Sequence, residues 1–126
     1  MTHLKPLILI VDDESDSLLF LFDLLHSEGY PVISASNGPD ALALCARNCP
    51  GIVITDVRMP GMDGLELLRR IKERSPGTRV LLLSCYADWP MFLGALEAGG
   101  DDVLPKPFRC EDLFRALSRA EVEAHP

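Results

Sequence analysis

Ile52-Val53-Ile54-Thr55-Asp56-Val57-Arg58-Met59-Pro60-Gly61-Met62-Asp63-Gly64 is the stretch on which the fold turns. A short β-branched apolar run stops on one carboxylate, and Pro60, Gly61, Asp63 and Gly64 follow closely. Such a run reads as a strand buried on both faces, and the breakers as the loop that leaves it. Asp56 is thereby set at the C-terminal end of a central strand. Open α/β sheets bind their ligands at that end.

Outward from this strand, the chain alternates strand and helix. Leu7 to Val11 is a continuous apolar strand, and Asp12-Asp13-Glu14-Ser15 opens a helix whose Leu18, Leu21, Phe22 and Leu25 recur at i, i+3, i+4 and i+7. Gly29 stops it. Pro31 to Ala35 reads as a short edge strand, the proline standing at its start. Asn37-Gly38-Pro39-Asp40 begins a second helix, with Leu42 and Cys45 inward and Pro50-Gly51 ending it.

After the Asp56 strand, a third helix runs through Leu65, Leu68 and Ile71 to Ser75-Pro76-Gly77. Arg79 to Ser84 is the next strand, and Asp88 caps a helix carrying Phe92, Ala95 and Leu96 up to Gly99-Gly100. Asp102-Val103-Leu104 is a fifth strand, broken by Pro105. Glu111 and Asp112 suit the first turn of a last helix that packs Leu113, Phe114 and Leu117 inward and frays from Glu121. Such alternation predicts an α/β, flavodoxin-like, doubly wound (βα)5 fold with a five-stranded parallel sheet in the order 2-1-3-4-5.

Composition sets limits on what this fold can do. The 126 residues are 48% hydrophobic and 25% charged, which suits one globular domain spanning 1–126. Twelve Lys and Arg against nineteen Asp and Glu leave a net charge of −7, so this domain is a poor binder of nucleic acid or of an acidic membrane surface. No apolar run reaches the roughly 20 residues a membrane span needs. The acidic Asp12-Asp13-Glu14 ends the first apolar run too early for a secretory signal, so a cytoplasmic location is expected. Cys45, Cys49, Cys85 and Cys110 lack the spacing of a zinc module and read as small hydrophobes in a reducing compartment.

On the expected fold, Asp12 and Asp13 follow strand 1, Asp56 ends strand 3, Ser84 ends strand 4 and Lys106 follows strand 5. All of them lie at the carboxyl edge of the sheet. Carboxylates that converge there repel one another and raise each other's pKa unless a cation intervenes, and hard oxygen ligands suit Mg²⁺. A carboxylate beside a divalent ion, an ammonium and a hydroxyl is equipped to accept a phosphoryl group as an acyl phosphate. Taken singly, each group has a plainer reading. The acidic run could be a helix start, Lys106 a snorkelling surface lysine, Ser84 a strand-end hydroxyl, and Asp63 a turn or cap residue.

Together, Ile10-Val11-Asp12-Asp13-Glu14, Thr55 to Gly64, Leu83-Ser84 and Lys106-Pro107-Phe108 resemble the receiver domain of two-component response regulators, in order and spacing over almost the whole chain. The resemblance implies that Asp56 is the phosphoacceptor. Asp13 and Asp56 would ligate Mg²⁺ directly, Asp12 through water, and the Arg58 main-chain carbonyl would complete the protein's share. It further implies that Lys106 pairs with the phosphoryl group across a cis bond to Pro107, and that Ser84 moves to bond it. Arg58 and Tyr86 hold places that modulate dephosphorylation in this family.

The implied partners are a sensor histidine kinase or histidine phosphotransfer protein and a downstream effector domain or protein; a homodimer through the last helices is open to it. Val103 departs from the family, which usually carries Tyr or Phe there, and transmission to the last strands and helices is expected to be altered. Pro105 is a milder departure.

Three other functions compete. A phosphorylation-independent adaptor would normally have lost the acidic pair or the lysine, and both are present. A haloacid-dehalogenase-type phosphotransferase wants a second Asp at the place held by Arg58. Flavin binding lacks a glycine-rich phosphate cradle, and the acidic strand ends oppose it. The expected activity is a signalling switch with self-catalysed phosphorylation and dephosphorylation, not turnover of a separate substrate.

Overall fold

The computed structural model describes residues 5–85, 97, 99 and 101–124. Five strands form one parallel sheet: β1 (Ile8–Val11), β2 (Val32–Ala35), β3 (Ile52–Asp56), β4 (Arg79–Cys85) and β5 (Asp102–Lys106), in the order β2-β1-β3-β4-β5. Among the described residues four helices accompany them: α1 (Ser15–Ser27), α2 (Gly38–Asn48), α3 (Gly64–Arg74) and α4 (Cys110–Ala124). The expected fold and strand order are observed. The helix expected from Asp88, with Phe92, Ala95 and Leu96, lies outside the described residues, as does Tyr86. Gly99 does take the left-handed φ of 91° that its reading as a stop requires.

Side-chain alternation divides the core between the two faces of the sheet. Ile8, Ile10, Ile52, Ile54, Leu81 and Leu83 face α1 and α4, where they meet Leu21, Leu25, Leu113 and Leu117. Leu9, Val11, Val53, Val80 and Leu82 face the other way, against Leu65, Leu67, Leu68 and Ile71 of α3. The four isoleucines of β1 and β3 have no exposed surface, and each contributes about 2–3 kcal/mol by leaving water. That burial fixes the central strands in register. It pairs Val11 with Thr55 and Asp56 with Leu83, so the residues just past β1 stand level with the end of β3.

Three local expectations need correction. Phe22 is not on the inward face of α1: it is 36% exposed and stacks on His26, while Leu21 and Leu25 are buried and Leu18 and Leu24 pack beside them. At 3.6 residues per turn the stripe that reaches the sheet leaves position 22 on the flank. Strand β5 is not broken by Pro105 but runs through it, with Ser84 opposite Pro105 and Cys85 opposite Lys106. Its place at the sheet's edge makes a missing N–H tolerable. Helix α2 does stop where Pro50-Gly51 follow: Asn48 is its last residue, and Cys49 caps it with a left-handed φ of 47° and donates its amide to the Cys45 carbonyl at 3.0 Å.

Finally, α4 does not fray from Glu121 but continues to Ala124. Tyr30, 5% exposed at the exit of α1, hydrogen-bonds the Glu121 carboxylate, and burial followed by that carboxylate pushes the phenol up to about 12. Lys5 Nζ sits 4.3 Å above the centre of the same ring.

At the amino edge of the sheet, β5 is held by ions. Asp101 accepts from Lys72 of α3 at 2.8 Å, from Arg79 of β4 at 2.7 Å and from the Val80 amide at 2.7 Å. Asp102 pairs with Arg119 of α4.

Candidate functional site

The carboxyl edge of the sheet gathers the acidic residues that the topology requires. Asp12 follows β1, and its Oδ1 accepts the Glu14 amide at 3.0 Å, so the carboxylate closes the turn into α1 in place of a side-chain cap from Glu14. Asp56 ends β3, and its Oδ1 accepts the Val57 amide at 3.1 Å. Carboxylate oxygens of Asp12, Asp13 and Asp56 all lie within 4.8 Å of one another. Asp12 is buried, Asp56 half-buried and Asp13 exposed, so the cluster opens to solvent on the Asp13 side.

Lys106 reaches this cluster from the end of β5. Its Nζ stands 3.2 Å from Asp56 Oδ1 and 3.9 Å from Asp12 Oδ2. The Lys106–Pro107 bond is cis. Ser84, 5% exposed, is the last residue but one of β4 and stands one residue beyond the partner of Asp56, and its Oγ donates locally to the Cys85 carbonyl at 3.2 Å. Arg58 follows Asp56 by two positions with its side chain exposed. Asp63 accepts the Glu66 amide at 2.9 Å and caps α3, so its reading as a cap is the observed one.

The electrostatics leave one carboxylate oxygen of the cluster without a partner among the described residues. Asp12 Oδ2 is buried without a hydrogen-bond partner among the described residues, and the Lys106 ammonium at 3.9 Å is too far to bond it. Burial is the largest force on this carboxyl and pushes it above the usual carboxylate range. Asp56 and Asp13 add to the push, while the Glu14 amide and Lys106 oppose it. The expected rise therefore occurs at Asp12, but desolvation contributes more than the neighbouring charges. A buried, unpartnered carboxylate oxygen among other carboxylates fits a hard divalent cation, which prefers oxygen ligands.

Two glycines prove to be more than breakers. At Gly64, an added Cβ would stand 2.4 Å from the Asp56 carbonyl oxygen and 2.8 Å from Val57 Cα. At Gly38, an added Cβ would meet Met62. The glycine-rich loop announced itself in the sequence; these contacts across the fold did not.

A family model for the response regulator receiver domain matches residues 8–118. The sporulation initiation phosphotransferase F of Bacillus subtilis is 33% identical over 112 residues, covering 89% of this chain and 90% of that protein. The DNA-binding transcriptional regulator NtrC of Salmonella typhimurium is 35% identical over 116 residues; the match takes in 92% of this chain but only 25% of the regulator's length. Among solved structures, the signal receiver domain of an HD domain-containing protein from Pseudomonas fluorescens superposes with a TM-score of 0.91 at 33% identity, over 96% of this chain and 98% of that one. With a match that runs from β1 into α4, this chain belongs to the receiver domains of response regulators, the phosphoacceptor signalling modules of two-component systems.

Proposed function

We propose that residues 1–126 act as one receiver unit in which Asp56 takes a phosphoryl group in a Mg²⁺-dependent reaction. The observation that carries this reading is the placement of Lys106 Nζ 3.2 Å from Asp56 within a cluster of three carboxylates. Asp13 and Asp56 would hold the ion directly, Asp12 through water, and Arg58 through its main-chain carbonyl. Bound there, Mg²⁺ would neutralise the cluster and the incoming phosphoryl oxygens. Asp56 supplies the attacking oxygen, and the bond from phosphorus to the donor breaks as the acyl phosphate forms. Lys106 then faces the new charge, and Ser84, one residue beyond on β4, can turn its hydroxyl toward a phosphoryl oxygen. The module signals and does not turn over a separate substrate.

Intact mass after incubation with acetyl phosphate tests the reading. One added phosphoryl group is expected with Mg²⁺ and none with a chelator. No adduct, together with no spectral change on adding beryllofluoride, would overturn it in favour of a phosphorylation-independent adaptor.

The donor would be a sensor histidine kinase or a histidine phosphotransfer protein, and α1 offers it a landing surface. Leu19 is 62% and Phe20 56% exposed, unusual for large apolar side chains on a charged surface. Phe20, Leu21, Pro107 and Phe108 line a cleft of about 450 Å³ that shares Asp12 and Lys106 with the acceptor site. A protein donor bringing phosphohistidine to Asp56 would cover this apolar rim; acetyl phosphate would not. The double variant Leu19→Glu, Phe20→Ala is therefore expected to slow transfer from the protein donor about tenfold or more, as lost anchor residues do, while labelling by acetyl phosphate is unchanged. Equal slowing of both would refute the docking role.

The recipient of the signal would be an effector domain or protein. With a net charge of −7, contact with nucleic acid falls to that partner and not to this module. Among the described residues no helix is long and apolar enough to cross a membrane, which agrees with the proposed cytoplasmic site of action.

A further inference from the structure

The loop from Val57 to Asp63 starts with the Val57 amide on the Leu83 carbonyl at 3.1 Å, buries Met59, and toward its end is held at two glycines, one of them on a different element. At its end, Gly64 donates its amide to the Val57 carbonyl at 2.8 Å and packs its bare Cα against the Asp56 backbone. One residue before Asp63, Met62 rests on Gly38, the first residue of α2. A Cβ at position 38 would stand 2.5 Å from Met62 Sδ and 2.8 Å from both its Cβ and Cγ. The sulfur could swing aside, but Met62 Cβ can move only with its backbone.

Gly38 itself has nowhere to go. The residue is buried, and Ala41, on the next turn, has no exposed surface. Asn37 fixes the helix start: its Oδ1 accepts the Asp40 amide at 2.8 Å and its Nδ2 donates to Asp40 Oδ2 at 2.9 Å. The backbone at 38 is helical and Pro39 follows it, a combination that disfavours a Cβ at 38, so the proline is one reason for glycine there. Met62 is the second reason, and the one that reaches across the fold.

We infer that Gly38 is a positioning residue for the acceptor site, acting from α2 through Met62. It sets the path of the loop from Val57 to Asp63 and so the resting place of that loop's main-chain groups, the Arg58 carbonyl among them. The metal-binding part of this inference rests on the proposed Mg²⁺ site; the part concerning the loop's path does not. A shift of about 1 Å in a group that must meet a ligand can cost orders of magnitude in rate.

The test compares Gly38→Ala with Gly77→Ala, the same change at a glycine whose added Cβ meets nothing within 4 Å. Three quantities are read: amide hydrogen exchange across 57–64, Mg²⁺ affinity by NMR titration, and the labelling rate with acetyl phosphate. Gly38→Ala is expected to accelerate exchange in that loop and to weaken Mg²⁺ binding and slow labelling by about tenfold each. Gly77→Ala should leave all three unchanged.

If Gly38→Ala lowers only the urea midpoint, leaving loop exchange and Mg²⁺ affinity as they were, Gly38 is merely structural and the inference is wrong. Where Gly38→Ala fails to fold, or acts through the ring of Pro39, Met62→Ala decides, because it leaves position 38 untouched. It adds no atoms and removes most of the contact, so unchanged loop exchange would again overturn the idea. If the native protein neither binds Mg²⁺ nor takes label, the phosphoacceptor reading has failed, while the exchange comparison still settles the role of Gly38.

Discussion

Asp56→Asn is expected to take up no phosphoryl group from acetyl phosphate, a loss of at least about a thousandfold in labelling rate, or roughly 4 kcal/mol of barrier. The amide fills the same volume but has no anionic oxygen to attack phosphorus. The variant should still fold, because Asp56 is only half-buried and its backbone lies in a ladder formed by buried neighbours. Mg²⁺ should bind more weakly, since one of the three clustered carboxylates is gone. Intact mass and a metal titration check both halves. Labelling of the Asn variant at the native rate would move the acceptor elsewhere.

The largest expected effect on stability lies at the opposite edge of the sheet. Burial alone would push the Asp101 carboxyl up, but hydrogen bonds from Lys72, the Val80 amide and Arg79 together outweigh it and hold the group below the usual carboxylate range. The sign follows from linkage. A depressed carboxyl adds stability that is fully present above the unfolded-chain value, about 3.9, and disappears as pH falls through the lower folded value.

Asp101→Asn removes the counter-charge that Lys72 and Arg79, only 16% and 27% exposed, share. Breaking a fully buried pair costs about 3–5 kcal/mol. Lys72 keeps its bond to the Thr78 carbonyl at 2.6 Å, so about 2–3 kcal/mol is the expected loss at neutral pH. Urea unfolding at pH 7 and again near pH 3 checks this. The gap between the two proteins should narrow at the lower pH, and a constant gap would show that the charge is not the cause.

The strand that ends on Asp56 was legible because a β-branched run buried on both faces has few other readings. The cluster around it was legible because parallel register brings the residues after β1 level with the end of β3 without any side-chain information. What stayed hidden depends on contacts across the fold. In α1, Leu18, Leu19, Phe20, Leu21, Phe22, Leu24 and Leu25 offer several apolar stripes, and only the sheet decides which one is buried.

Pro105 reads as a strand breaker by local chemistry, yet edge placement lets the strand continue. Glu121 reads as the start of a polar tail, and only the Tyr30 phenol, some 90 positions earlier in the chain, explains why the helix goes on. Gly38 and Gly64 look like loop punctuation until their neighbours are known.

Pro105 has a second effect, on how this domain meets copies of itself. An open parallel sheet has two raw rims, and each offers unpaired amides and carbonyls to any passing strand. Here one rim is β2, only four residues long and entered through Pro31. The other is β5, five residues long with Pro105 inside it and so one amide poorer than its length suggests. Short, proline-marked rims are bad templates for growing a sheet from molecule to molecule. A signalling module can then be abundant, and can meet its partners through helices, without its sheet nucleating fibrils.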